Sequence, residues 1–496
     1  MKRFIYLYFV LFLFIYCGSN TLLAQEKQER FTIMGLGDSS TEGGDYFTCY
    51  LYPLWEKLFT AGYEFDFIGP RESKCRIGTI KHCGFSGKTV EFLDSKIDSL
   101  YRIYPADIVL LHAGGNHFAE EKPVNGMIAA YQSIIQKIQN INPNAYILLA
   151  QVIPNGKLPK YAYIPELNQR IAKLVNQLNN DHVILVDQAT GFDWRTNTVA
   201  DKVHPNKAGA ERMATVWMET LKKILLPAKT TFHPEIISYK TLPNGDSLTL
   251  HIFHPQHVKK EKSCPAIIFF FGGGWKLGTP LQFYRECAYY ASKGMVAISA
   301  DYRIEYLYKS TPFDSFADAQ DAIRWLRQHA ATYNIDPNKI VAAGASAGGH
   351  LAASLGTIGT TNKVSADYKP NLLVLYYPVV DMNSDRYDFP AIGQCYRNIS
   401  PLQNISSNTP PTIFMVGTKD QIVSIQTAED FCNTIRENGV ECELHLFKGA
   451  GHPIFLYREP LTKDFYKIRN LTDAFLKKNG FLTDTPSTSV RTKKKD

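Results

Sequence analysis

One pattern, met twice, constrains this chain most: short apolar runs separated by amphipathic helical stretches. In the first block the runs are Phe31–Leu36, Phe65–Ile68, Asp107–His112, Ala145–Val152 and His182–Val186. Helical stretches such as Val124–Gln139 and Ile164–Leu178 lie between them. Apolar runs of that length, spaced by helices, predict parallel strands covered on both faces. The second block opens with Glu235–Lys240 and Ser247–His254, which alternate around Pro243-Asn244-Gly245-Asp246. Asn-Gly tolerates the positive φ of a tight turn, so a hairpin is expected there. The runs Ala266–Phe271, Met295–Ala300, Lys339–Ala343, Leu372–Tyr377, Thr412–Val416 and Glu443–Phe447 follow, with helices such as Ser315–Tyr333 between them. The fold class is therefore α/β, in two doubly wound domains at 28–226 and 235–481, with a proline-bounded linker at 227–234. A chain of 496 residues is past the size at which one core keeps growing. Its 45% hydrophobic content supplies two cores.

The ends differ from the blocks. Lys2 and Arg3 precede an apolar run, Phe4 to Tyr16, and then Leu22-Leu23-Ala24. This is the form of an export leader, 1–24, cleaved after Ala24. The run is shorter than the roughly 20 residues that span a bilayer, and no later segment is apolar enough. Cys17 leaves a lipoprotein alternative, disfavoured by the bulky Tyr16 before it. Residues 482–496 form a basic tail of Thr, Ser, Pro and Lys, expected to be disordered. Of the net charge of +7, Lys2 and Arg3 carry two and the last six residues three. What remains is too small for a nucleic-acid footprint. Eight cysteines follow the leader, without a CxxC pair, so a zinc site is not expected. Export permits disulfides; Cys75–Cys83 and Cys432–Cys442 are close in sequence, and buried free thiols are the other reading.

The first apolar run ends in Gly37-Asp38-Ser39-Ser40. Carboxyl ends of parallel strands are where ligands bind. A serine there presents its hydroxyl outward, although Gly-Asp-Ser alone also fits a helix cap. At the far end of the block stands Asp201-Lys202-Val203-His204. That spacing lets a carboxylate hold one imidazole nitrogen while the other takes the serine proton. Gly87, in Phe85-Ser86-Gly87, and Asn116, in Gly114-Gly115-Asn116-His117, add donors. With the Ser39 N–H they make an oxyanion hole, in which a donor contributes roughly 2.7–4 kcal/mol. These four blocks, in this order, resemble the SGNH (GDSL-type) hydrolases, over about Phe31 to Leu225. The resemblance implies a flavodoxin-like sheet. The stretch from Asp45 to Gly69, ending Tyr63-Glu64-Phe65-Asp66-Phe67-Ile68-Gly69, is similar to the carbohydrate esterase family 3 branch, which deacetylates xylan. His117 departs from the family's usual Asp, and Ser40 from its usual apolar residue.

In the second block, Lys339–Ala343 runs into Gly344-Ala345-Ser346-Ala347-Gly348, the form of a nucleophile elbow. Gly272-Gly273-Gly274-Trp275 follows an earlier strand, so the N–H groups of Gly273 and Gly274, joined by that of Ala347, are oxyanion donors. Asp420 and His452 each follow a later strand, and the order Ser, Asp, His is that of the α/β hydrolases. Asp381 and Asp385 are rival acids after an earlier strand. From about Glu235 to Phe481 this block resembles the hormone-sensitive-lipase-like acetyl esterases, which include bacterial xylan esterases. Asp301-Tyr302-Arg303 and Asn334-Ile335-Asp336-Pro337 match that branch as well. Phe271 stands where the family places a histidine that braces the glycine loop.

Both halves imply ester hydrolysis through an acyl-serine intermediate, with no metal or cofactor. The resemblances and the leader together imply an exported esterase removing acetyl groups, or from one domain feruloyl groups, from acetylated polysaccharide such as xylan. A lipid or general short-chain carboxylesterase is one alternative. A single active domain with a non-catalytic polysaccharide-binding partner is another.

Overall fold

The computed structural model describes residues 30–226, 228, 231–255, 263–359, 367–383, 393–455 and 461–483. The expected leader, nearly all of the tail, and Asp385 lie outside the described residues.

Seven strands build the first sheet: β1 (Phe31–Gly37), β2 (Phe65–Phe67), β3 (Arg71–Cys75), β4 (Gly78–Gly84), β5 (Ile108–His112), β6 (Tyr146–Ala150) and β7 (Val183–Val186). Their order is β3-β4-β1-β5-β6-β7. β2 pairs with the first three residues of β1 and β4 with its last two, so they follow one another along the same edge. From β4 across to β7 every pairing is parallel, the doubly wound arrangement expected. The expectation of a wholly parallel sheet fails at one edge, where β3 and β4 form an antiparallel hairpin. β3 escaped the sequence reading because Arg71-Glu72-Ser73-Lys74 is polar and largely exposed; it carries no apolar run.

The second sheet holds β8 (Glu235–Thr241), β9 (Ser247–Phe253), β10 (Cys264–Phe270), β11 (Val296–Ala300), β12 (Ile335–Ala345), β13 (Leu372–Tyr376), β14 (Thr412–Gly417) and β15 (Cys442–Phe447). Its order is β15-β14-β13-β12-β10-β11-β9-β8. β8 and β9 form the expected hairpin and join β11 antiparallel; the other pairings are parallel. Strands β10, β11 and β13, and the second half of β12, are buried almost throughout, which is why they read as unbroken apolar runs.

The segment expected to be a linker is docked. Phe232 is buried and its N–H donates to the Thr60 carbonyl at 3.0 Å. Its ring lies between Phe59 of the first domain and Tyr284 of the second. At the far end, Phe481 and Leu482 fold back into the second core, so Leu482 belongs to the domain and not to the tail. The eight cysteines among the described residues are free thiols; the sulfurs of Cys432 and Cys442 touch at 2.8 Å, and Cys75 and Cys83 are unpaired. Among the described residues no helix is long and apolar enough to cross a membrane.

Burial lowers three histidines to about 4: His82, His251 and His350. Unfolding exposes these rings to water, where they protonate near pH 6.5. Their contribution to stability is therefore present above about pH 6.5 and is lost as pH falls toward about 4. His350→Gln cannot take this proton. Its thermal midpoint should fall less between pH 7 and pH 5 than that of the parent; an equal fall would contradict the assignment.

Candidate active sites

Ser39, Gly87, Asn116 and His204 follow different strands of the first sheet, and all lie at its carboxyl edge. Asp38 caps the short helix Ser39–Glu42 by accepting from the Ser40 N–H at 3.1 Å. This leaves the Ser39 hydroxyl at the end of β1. His204 Nε2 lies 2.9 Å from Ser39 Oγ, and His204 Nδ1 lies 2.5 Å from Asp201 Oδ2. Asp201 Oδ1 accepts from the N–H groups of Val203 and His204 at 2.8 and 3.0 Å. Burial opposes its ionisation, but the hydrogen bonds from His204 and Val203 prevail and hold the carboxyl below its usual range. An ionised Asp201 fixes the proton on Nδ1, which leaves Nε2 to accept from the serine.

The donors expected for an oxyanion hole here are the N–H groups of Ser39 and Gly87 and the Asn116 amide. The Ser39 and Gly87 N–H groups donate to no protein acceptor among the described residues. Asn116 Nδ2 donates one hydrogen to the Lys88 carbonyl at 3.0 Å, and its second hydrogen is left for a ligand. His117 takes up the supporting role. Its ring lies 3.0 Å from Glu91 and 2.6 Å from Glu121, and its N–H donates to Tyr163 Oη at 3.2 Å. Burial opposes the charged ring, but the two carboxylates outweigh it and raise the pKa.

Two features escaped the sequence reading. Glu42 accepts from the Ser86 N–H at 2.6 Å and pairs with Arg71, so it pins the loop that carries Gly87. Its place one helical turn after Ser39 was the available signal. Phe47 stacks on the His204 ring at 4.2 Å, and Tyr46, 71% exposed, stands edge-on to both.

The second site repeats the chemistry on the second sheet. Ser346 sits between β12 and the helix Ala347–Thr357 at φ 53°, ψ −118°, a strained elbow. Close approach makes the elbow possible: a Cβ at Gly348 would lie 2.0 Å from the Phe270 carbonyl oxygen. His452 Nε2 lies 2.8 Å from Ser346 Oγ, and Nδ1 lies 2.7 Å from Asp420 Oδ2. Asp420 Oδ1 accepts from the N–H groups of Ile422 and Val423, both at 2.8 Å, so the buried carboxylate has partners on both oxygens. The rival Asp381 instead meets Asn383 and Gln403. The N–H groups of Gly273, Gly274 and Ala347 have no protein acceptor among the described residues. Gly272 packs against the elbow, where its Cβ would meet the Ala345 carbonyl oxygen at 2.9 Å and Ser346 Cβ at 3.3 Å.

Each site thus brings together a serine hydroxyl, an imidazole, a carboxylate and unpaired donors, the set of groups that acyl transfer requires. No group of three metal-binding side chains occurs among the described residues.

Comparison with known proteins agrees with this division. Residues 36–212 match the GDSL-like Lipase/Acylhydrolase family, and residues 250–386 match BD-FAE. An AB hydrolase superfamily protein of Schizosaccharomyces pombe is 31% identical over 52% of this chain and 80% of its own length. An acetylxylan esterase of Xylanibacter ruminicola is 24% identical over 42% of this chain and 45% of its own length. The apo form of Thermogutta terrifontis esterase 2 is 36% identical, covering 51% of this chain and 97% of its own, with a TM-score of 0.47. The chain spans about half the length of several other curated relatives.

Glu42→Ala should free the Gly87 loop. Phosphonylation of Ser39 by a p-nitrophenyl phosphonate is expected to slow about tenfold or more. Ser346 in the same molecule serves as the internal control, read by peptide mass spectrometry.

Proposed function

Because this chain belongs to the AB hydrolase superfamily and carries a GDSL-like lipase/acylhydrolase domain ahead of that fold, we propose that it is an exported serine esterase with two independent sites, acting on acetylated plant cell-wall polysaccharide such as xylan. The observation that carries this reading is the pair of serine–histidine–carboxylate relays, closed at 2.9 and 2.8 Å between serine and histidine.

At the first site Ser39 Oγ attacks the ester carbonyl as its proton passes to His204 Nε2. Asp201 stabilises the imidazolium that forms. The carbonyl oxygen becomes an oxyanion held by the N–H groups of Ser39 and Gly87 and the Asn116 amide. As the tetrahedral intermediate collapses, the bond from its carbon to the sugar oxygen breaks, and His204 gives its proton to that oxygen, which leaves as a hydroxyl. Water, deprotonated by the same ring, releases the acid and regenerates Ser39. At the second site Ser346, His452 and Asp420 take these roles, with Gly273, Gly274 and Ala347 as donors. Complete relays in both halves favour two working sites over a dead binding domain.

The substrate class rests on the acetylxylan esterase relative and on the aromatic pair beside His204. An exposed ring such as Tyr46 offers a flat apolar face against which a sugar ring packs. Export rests on the leader-like first 24 residues. The two sites divide the work, either between hydroxyl positions or with acetyl groups at one and feruloyl groups at the other.

Ser39→Ala and Ser346→Ala, made singly and assayed on acetylated xylan, should each retain part of the acetate release. If either abolishes all release, the sites are not independent. Tyr46→Ala in a Ser346→Ala background should raise KM for acetylated xylo-oligosaccharides about fivefold and leave p-nitrophenyl acetate within about twofold. Equal effects on both substrates would remove Tyr46 from sugar binding.

A further inference from the structure

The edge hairpin of the first domain ends against the oxyanion loop of the second. Residues Cys75 and Gly78 close the β3–β4 turn, and Arg76 projects from it. Arg76 Nε donates to the Gly278 carbonyl at 2.7 Å, and the Gly278 N–H donates back to the Arg76 carbonyl at 2.8 Å. The guanidinium also pairs with both oxygens of Asp301 and lies 5.7 Å over the Phe271 ring. The pair is nearly closed to solvent, with side-chain exposures of 14% for Arg76 and 8% for Asp301.

Gly278 is the closing residue of the turn that begins with the oxyanion donors. The N–H groups of Lys276 and Leu277 donate to the Gly273 carbonyl at 3.1 and 3.0 Å. The turn is wound so tightly that a Cβ on Gly273 would meet the Leu277 carbonyl oxygen at 2.2 Å, and one on Gly278 would meet Phe271 at 2.3 Å. The position of Gly278 therefore sets that of Gly273 and Gly274. Phe271 brings no hydrogen-bonding side chain to this loop; its ring stacks on Tyr302 at 4.1 Å. The charged contact comes from the other domain. A second link ties the same parts together: Tyr306 Oη donates to the Lys74 carbonyl at 3.1 Å, while the Tyr306 N–H donates to the Lys276 carbonyl at 3.1 Å.

We propose that Arg76, from the first domain, is a positioning residue for the oxyanion hole of the second, so that Ser346 works at full rate only with the β3–β4 hairpin docked on the Gly272–Gly278 loop. The inference rests on the esterase reading of the second site. It makes the two active sites chemically separate but mechanically linked in one direction. Removing the guanidinium leaves the Asp301 carboxylate buried without its cation and frees the Gly278 end of the loop. Misplaced donors weaken the transition state while leaving ground-state binding nearly intact, so the loss falls on kcat.

The test uses the full chain with Ser39→Ala, so that only the second site turns over p-nitrophenyl acetate. Arg76→Ala should lower kcat about tenfold or more, with KM within about twofold. Millimolar guanidinium chloride should restore part of the lost kcat. In a Ser346→Ala background the same substitution should leave first-site kcat within about twofold, since Arg76 touches no part of that site. An unchanged kcat at the second site overturns the proposal. So does a parallel loss at both sites with a lowered thermal midpoint and no guanidinium rescue, which assigns Arg76 to the general fold. If Arg76→Ala does not fold, Arg76→Lys is read by the same kcat criterion, since lysine keeps the charge but loses the fork that reaches Gly278 and Asp301 together. If Ser39→Ala shows no turnover and a phosphonate leaves Ser346 unlabelled, the esterase reading of that half fails, and this inference with it.

Discussion

In a parallel sheet every strand delivers its carboxyl end to the same edge, and both sites depend on that. Ser39, Gly87, Asn116 and His204 come from segments spread over the whole first domain, yet they meet because β1, β4, β5 and β7 end side by side. Ser346, Gly273, Asp420 and His452 meet in the same way beyond β12, β10, β14 and β15. The helices between strands cover the faces and leave that edge to loops, where backbone N–H groups stay unpaired. Those orphan donors are the sites' electrostatic equipment, and they exist because strand and loop meet there.

The two sites reach the same chemistry through different local strain. The first serine sits at a helix start capped by Asp38, with ordinary hydrogen bonds around it. The second sits at positive φ in an elbow that closes only because Gly348 lets the helix approach β10. Support for the oxyanion donors differs as well. Glu42 and His117 brace the first set from within the domain. The second set is braced partly across the domain boundary, by an arginine 202 residues distant in sequence from its glycine partner.

Much of this was legible in the chain. The alternation of strand and helix follows from burial on both faces, so β1, β5, β10 and β13 announce themselves as apolar runs. Ser39 and Ser346 were legible because each stands at the end of such a run among small residues, and His204 because Asp201 lies three residues before it; His452 follows the last run within a glycine- and proline-flanked loop. β3 was not legible, because Arg71-Glu72-Ser73-Lys74 is an exposed edge with no apolar pattern. The docking of Phe232 was hidden for a related reason: one aromatic residue among prolines and polar residues reads as a linker until its neighbours are known. In the sequence His117 is only a departure from the family's usual Asp; the placement of Glu91 and Glu121 shows it to be a brace.

By itself the amino-acid order determined the kind of scaffold and named candidate groups for the chemistry, with their order along the chain. Periodicity and side-chain identity are local properties, and they suffice for that. Which backbone donors remain unpaired, which acid reaches each imidazole, and which arginine meets Asp301 were decided only by tertiary structure. These depend on strand order and on how the first domain's edge hairpin meets the second domain's loop. Contacts between residues hundreds of positions apart leave no periodic trace along a single chain.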